Sequence, residues 1–141
     1  TGPLEDYVGE VATQLDRLTY AGFVAGDQKE RMISEALALV VPSIWWEPFG
    51  LVVLEAFSRE RPVIAAKSGG LTEIVHDGES GWLHEPGDLT MLVRQLHEAL
   101  DSPDEASRRG AEGNRWFLEN ATRERWNCDL NSVLKKVCDV S

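Results

Sequence analysis

Long apolar runs are missing from this 141-residue chain. No stretch of eighteen or so hydrophobic residues occurs, so no segment has the make-up of a membrane-spanning helix. The N-terminus lacks a basic stretch followed by an apolar one, and no secretory leader is expected. Cysteine is scarce. Cys128 and Cys138 stand in one helical segment, roughly 15 Å apart along a helix axis, too far for a disulfide. Reduced thiols, and with them a cytoplasmic setting, are the expectation. Cations are also in short supply, with 14 Lys plus Arg against 24 Asp plus Glu and a net charge of −10. The adjacent basic pairs, Arg108-Arg109 and Lys135-Lys136, have acidic residues nearby, so the clustered charge needed by a nucleic-acid backbone or an anionic membrane is lacking. His76, His84 and His97 share no metal-ligand spacing, and no metal site or cofactor is expected. There is no internal repeat and no low-complexity tract.

What is present fits a globular α/β domain. Hydrophobic residues make up 43% and charged residues 27%, and the length suits one domain or part of a larger one. Leu4, Tyr7, Val8, Val11, Ala12 and Leu15 recur at helical spacing, which predicts a helix over 3–16. Leu18 to Val24 is rich in strand formers and predicts a short strand. Asp27 is the expected N-cap of a helix whose apolar face carries Met32, Ile33, Ala36 and Leu37. Ala38–Val41 and Pro62–Ala66 are short apolar runs, the pattern of parallel strands buried on both faces. A helix over 49–59 follows the first of them, a short helix over 72–76 the second, and Gly81–His84 is a last strand. Helices over 88–101 and 103–119 and a final one around Trp126–Val137 complete the chain, with 103–139 peripheral. Strands alternating with helices predict a Rossmann-like three-layer sandwich with a mostly parallel sheet.

Ligands of open α/β sheets bind beyond the carboxyl ends of the strands, at helix N-termini. The most unusual stretch lies there, from Pro42 through Ser43-Ile44-Trp45-Trp46-Glu47-Pro48-Phe49-Gly50 to Leu51-Val52-Val53-Leu54-Glu55-Ala56. Gly50 admits a ligand close to the backbone, and the first N–H groups of the helix favour an anionic oxygen. An ionised Glu55 accepts hydrogen bonds only, and two of them suit a vicinal diol such as a ribose pair. Glu47, in a loop stiffened by Pro48, is placed to accept from sugar hydroxyls. Trp45 and Trp46 suit packing on a sugar or a partner domain. With fifteen Glu in the chain, roughly one to two pairs at this spacing arise by chance, so the context carries the weight.

That context is Pro42-Ser43 before the pair, Glu47-Pro48-Phe49-Gly50-Leu51 within it and Arg61-Pro62-Val63-Ile64-Ala65 after it. Gly69-Gly70-Leu71-Thr72-Glu73-Ile74-Val75, Asp77-Gly78-Glu79-Ser80-Gly81 and Glu85-Pro86-Gly87-Asp88 continue it. Over roughly residues 18–101 it resembles the C-terminal, donor-binding domain of retaining glycosyltransferases with the GT-B fold, of the family-four kind and its acid-seven-acid motif. The resemblance implies transfer of a sugar from a nucleotide diphosphate sugar to an acceptor hydroxyl. It implies that Glu55 binds the ribose hydroxyls and that Glu47, also the candidate catalytic residue, binds the transferred sugar. The backbone of Phe49, Gly50, Leu51 and Val52 would meet the sugar and diphosphate, and Val24, at a strand end, the base. Such enzymes usually need no metal, and the Asp-x-Asp motif of the other major glycosyltransferase fold is absent.

The departures are equally specific. An Arg and a Lys that hold the diphosphate in the family, on and after the first strand of the domain, are expected to lie upstream with the first two strands, and Lys67 does not fit their pattern. Thr1-Gly2-Pro3 resembles the turn after the second strand, so 1–141 is expected to be one incomplete domain, half of a GT-B architecture, inactive without its upstream acceptor domain. The 18–24 strand then lacks a neighbour, and a partner chain, including a second copy, or a changed strand order is expected to cover the exposed sheet edge. Glu60 stands where the family commonly has glycine. Gly69-Gly70 reads first as a turn, Glu73 as an acid polarising a short helix, and Trp116, Phe117 and Trp126 as packing anchors. Two other readings stay open: a non-enzymatic glycosyltransferase-like binding module, and a GT-B-shaped sugar-nucleotide 2-epimerase.

Overall fold

Val63, Ile64, Ala65 and Ala66 are small or branched, and a strand made of them offers apolar atoms on both faces. In the computed structural model, which describes residues 2–138, they form the centre of the molecule's one described sheet. The chain divides into two compact units, Thr1–Met32 and Ile33–Ser141.

The first unit contains α1 (Glu5–Gln14) and the start of α2 (Gly26–Glu35). Glu5 and Asp6 open α1, where acidic charge is favoured by the helix dipole. Tyr20 Oη donates to Glu5 Oε1 at 3.0 Å, and that bond raises the phenol's pKa. The expected strand over Leu18–Val24 does not form; the backbone there is irregular. Strand propensity needs a second backbone to pair with, and no ladder partner for this segment exists among the described residues. Asp27 lies within the first turn of α2 and is not its N-cap.

The second unit holds β1 (Leu39–Val41), α3 (Leu51–Phe57), β2 (Val63–Ala66), α4 (Leu71–Ile74), β3 (Gly81–His84), α5 (Leu89–Asp101), α6 (Pro103–Asn120) and α7 (Arg123–Cys138). The strands run parallel in the order β1-β2-β3, with Leu39 opposite Val63 and Val63 opposite Gly81. On one face Val63 and Ala65 meet Val53, Ala56 and Phe57 of α3, Leu71 and Ile74 of α4, and Trp116 and Phe117 of α6. On the other, Ile64 and Trp82 meet Leu92, Leu96 and Ala99 of α5 and Ala106 of α6. The three-layer parallel sandwich is therefore as expected, with three strands.

β1 differs from expectation. It is not buried on both faces: Val40 is 37% exposed, because β1 is paired on one side only. Of the segment 103–139, α6 packs into both core clusters while α7 buries no residue; residue 139 lies outside the described residues, as does Thr1. Gly113 lets α6 close on α3, since a Cβ there would lie 2.4 Å from the Phe57 ring. Trp116 and Phe117 are packing anchors as expected, but Trp126 is 63% exposed.

α3 ends in a Schellman turn. The Arg61 amide bonds the Ala56 carbonyl at 3.0 Å, and the Glu60 amide bonds that of Phe57 at 3.0 Å. Glu60 occupies the left-handed position of this turn at φ 55°, the place a glycine fills without steric cost. Its presence costs about 1–2 kcal/mol of backbone strain. Glu60→Gly is therefore expected to raise the unfolding free energy by about 0.5–1 kcal/mol in chemical denaturation, the gain being reduced by glycine's greater freedom in the unfolded chain. A loss of stability would contradict this account of the turn.

Arg109 ties α6 to β3. Its guanidinium lies 4.1 Å from the centre of the Trp82 ring, Nη1 donates to the Gly81 carbonyl at 2.6 Å and Nε donates to Glu105 Oε1 at 2.8 Å. Hydrogen bonds from Arg108, and then from Arg109, lower the Glu105 pKa from its ordinary 4.5 to about 2. A carboxyl depressed by folding lends stability that is present above its unfolded pKa and lost as pH falls through the folded one. Glu105→Gln is thus expected to abolish part of the acid-induced loss between about pH 4.5 and about 2, read from denaturation midpoints across that window. Identical midpoint profiles for the two proteins would contradict it.

Candidate functional site

Pro42 cannot donate to a ladder, and the chain leaves the sheet there at the carboxyl end of β1. The loop that follows carries Ile44, Trp45, Trp46 and Phe49 exposed, with Trp45 68% accessible, and Glu47 half-buried. It ends at Gly50, which is buried, has φ 88° and caps α3 without a side-chain hydrogen bond. A Cβ at that position would meet the Leu71 side chain at 2.6 Å. The left-handed residue turns the chain sharply into α3, whose first N–H groups have no intrahelical acceptor. Leu51 is exposed and Val52 half-buried at this opening turn, and Glu55, half-buried, follows one turn later.

A second loop, leaving the carboxyl end of β2, holds the first in place. Gly70 donates its amide to the Glu47 carbonyl at 2.9 Å. Ser68 Oγ donates to the Trp45 carbonyl and accepts from the Glu47 amide at 3.3 Å. A Cβ on Gly69, which has φ 52°, would lie 2.1 Å from the Glu47 carbonyl oxygen, and one on Gly70 would lie 2.9 Å from Phe49 Cα. Gly69-Gly70 is more than a turn: it is the surface on which the Glu47 loop rests. Sequence reasoning missed Ser68. The signal available was a hydroxyl residue two positions after an apolar strand and next to Gly69-Gly70.

The indole of Trp45 reaches the acid two residues on, with Nε1 donating to Glu47 Oε2 at 3.1 Å. Glu55 offers its backbone carbonyl to Ser58 Oγ at 2.8 Å and to Arg59 Nη1 at 3.0 Å. Lys67 pairs with Glu85, Nζ to Oε1, at 3.0 Å. Glu47, Phe49, Gly50, Leu51, Val52 and Glu55 thus form one continuous loop-and-helix segment. Val24 lies in the first unit, half-buried, in irregular backbone; the strand end that motivated its assignment is not there. A cavity of about 590 Å³ is lined by Phe49, Leu54, Trp116, Asn120, Trp126 and the corner between α6 and α7; neither acid lines it. Among the described residues no cluster of three or more His, Cys, Asp or Glu is arranged to hold a metal ion. Cys128 and Cys138 are both free and exposed. No described helix is long and apolar enough to cross a membrane.

The parallel α/β layer and its strand-end loops are those of a GT-B glycosyltransferase. The model of the family described as glycosyl transferases group 1 matches residues 10–116, and the chain belongs to that family. It is 31% identical over 119 residues to the MMP alpha-(1->4)-mannosyltransferase of Mycolicibacterium hassiacum, over 84% of this chain and 28% of that protein. It matches the structure of sucrose-phosphate synthase (tll1590) from Thermosynechococcus elongatus with a TM-score of 0.85 and 30% identity, over 98% of this chain and 34% of that one. It matches Anabaena Alr3699/HepE in complex with UDP-glucose with a TM-score of 0.79 and 25% identity, over 95% of this chain and 38% of that one. The chain spans between 18% and 28% of the length of the curated relatives it matches.

Gly69→Ala tests the packing of the two loops. A methyl group there meets backbone, which cannot swing aside, at a left-handed φ. The substitution is expected to destabilise the chain by about 2–3 kcal/mol in chemical denaturation. An unchanged stability would show that the loop does not rest on residue 69.

Proposed function

We propose that this segment is the donor site of a retaining glycosyltransferase, with Glu55 accepting hydrogen bonds from the ribose hydroxyls and Glu47 from hydroxyls of the transferred sugar. The backbone of Phe49, Gly50, Leu51 and Val52 meets the sugar and the diphosphate. The observation that carries the reading is Gly50, a buried left-handed residue opening α3 between the two acids. Its left-handed φ, with Leu71 packed where a Cβ would stand, sets the turn after which the first amides of α3 are offered to an anionic oxygen. The likeness to HepE, which was crystallised with UDP-glucose, supports a nucleotide-sugar ligand.

In the reaction so read, an acceptor hydroxyl attacks the anomeric carbon on the face from which the diphosphate departs. The bond from that carbon to the acceptor oxygen forms as its bond to the diphosphate breaks, and the hydroxyl proton passes to the leaving phosphate oxygen. The protein's part is to hold the sugar and to stabilise charge on the leaving group. The reading assigns no metal and no cofactor. It assigns donor binding to these residues; acceptor binding belongs to other parts of a whole transferase. A cytoplasmic setting accords with two free cysteines and with a ligand class made there.

Isothermal titration of the chain with UDP-glucose and its GDP and ADP counterparts tests the reading, with saturable binding of at least one expected. Glu55→Ala is expected to weaken binding of the preferred nucleotide sugar, and of its nucleoside diphosphate alone, by about 1–3 kcal/mol. Unchanged affinity would remove Glu55 from the site, and binding of none of the three would remove the reading.

A further inference from the structure

We infer that Trp45 is a positioning residue for Glu47: its indole N–H fixes one carboxylate oxygen and turns the other toward the donor sugar. The inference rests on the donor-site reading above and deepens it. Trp45 Nε1 donates to Glu47 Oε2 at 3.1 Å, and among the described residues Oε1 has no hydrogen-bond partner. A carboxylate accepts through both oxygens, so fixing one leaves the other with its full accepting capacity in a set direction.

The backbone makes this bond directional. Residues 45 and 47 are both held by the second loop, Trp45 through its carbonyl to Ser68 Oγ, Glu47 through its amide to the same oxygen and through its carbonyl to Gly70. With both Cα positions set, the indole bond decides the rotamer of Glu47. Trp45 belongs to neither core cluster, like the still more exposed Ile44 and Trp46, and what sets it apart from them is the bond from its indole N–H to Glu47. The part the bond plays is orientation, since a hydrogen bond at an exposed site adds little to the stability of the fold.

Trp45→Phe keeps an aromatic side chain, smaller than the indole, and removes the N–H. Titration calorimetry compares wild type, Trp45→Phe, Glu47→Ala and the double variant against UDP-glucose and UDP, or the matching pair for the base that wild type prefers. Trp45→Phe is expected to weaken the nucleotide sugar about three- to tenfold and to leave the nucleoside diphosphate unchanged, because the sugar hydroxyls are what Glu47 meets. In the Glu47→Ala background the same change is expected to have no further effect. Equal weakening toward both ligands would make Trp45 a structural residue, and an unaltered sugar-nucleotide affinity or a full additive loss in the double variant would likewise overturn the proposal. If wild type binds nucleotide sugar and those outcomes occur, Trp45 alone is excluded. If wild type binds neither ligand, the donor-site reading falls and the positioning role falls with it.

Discussion

Two loops leave the same end of the sheet because β1 and β2 are adjacent and parallel, and they meet through the backbone of Gly69-Gly70 and the hydroxyl of Ser68. The Gly70 amide bonds the Glu47 carbonyl in space that any side chain at residue 69 would fill. Everything proposed for the site follows from that contact. It sets the direction in which the 42–50 loop meets α3, and so the left-handed turn at Gly50. It also holds the backbone of Glu47, leaving the side-chain torsions for the bond from the Trp45 indole to restrict. Parallel topology supplies this arrangement without further design, since an antiparallel pair would send the two loops to opposite ends of the sheet.

The sequence was legible where one physical pressure dominated. Val63–Ala66 reads as a buried strand because all four residues are apolar, and it is one, and the helix expected over 88–101 forms as α5, with Asp88 as its cap rather than its first residue. It was misleading where a strand's status depends on its neighbour. Val40 reads as core but is paired on one side, and Leu18–Val24 reads as strand but has no ladder. The acids of the site were legible through their spacing and context. Their supports were not, because Ser68 and the Trp45 indole act through directional bonds between residues whose neighbourhood only the fold creates. Glu60 lies between these cases. Its departure from the glycine usual in the family was visible in the sequence, and its meaning, a left-handed helix terminus, came from the backbone angle.

The second unit combines a closely packed scaffold with a sparse set of polar groups at the strand ends. The two core clusters on either side of β2 hold α3 and α5 against the sheet, and α6 reaches both clusters. On that base the site needs few charges of its own, which suits a strongly acidic chain in which several arginines are already committed to α6, α5 and the β3 face.

A crystal structure of the chain with the bound nucleotide sugar it prefers is the most direct test. The account predicts the Glu55 carboxylate on the ribose hydroxyls, Glu47 Oε1 on a hydroxyl of the sugar and the diphosphate facing the amides that follow Gly50. A ligand seated elsewhere, with Glu47 and Glu55 opening into separate spaces, would contradict it.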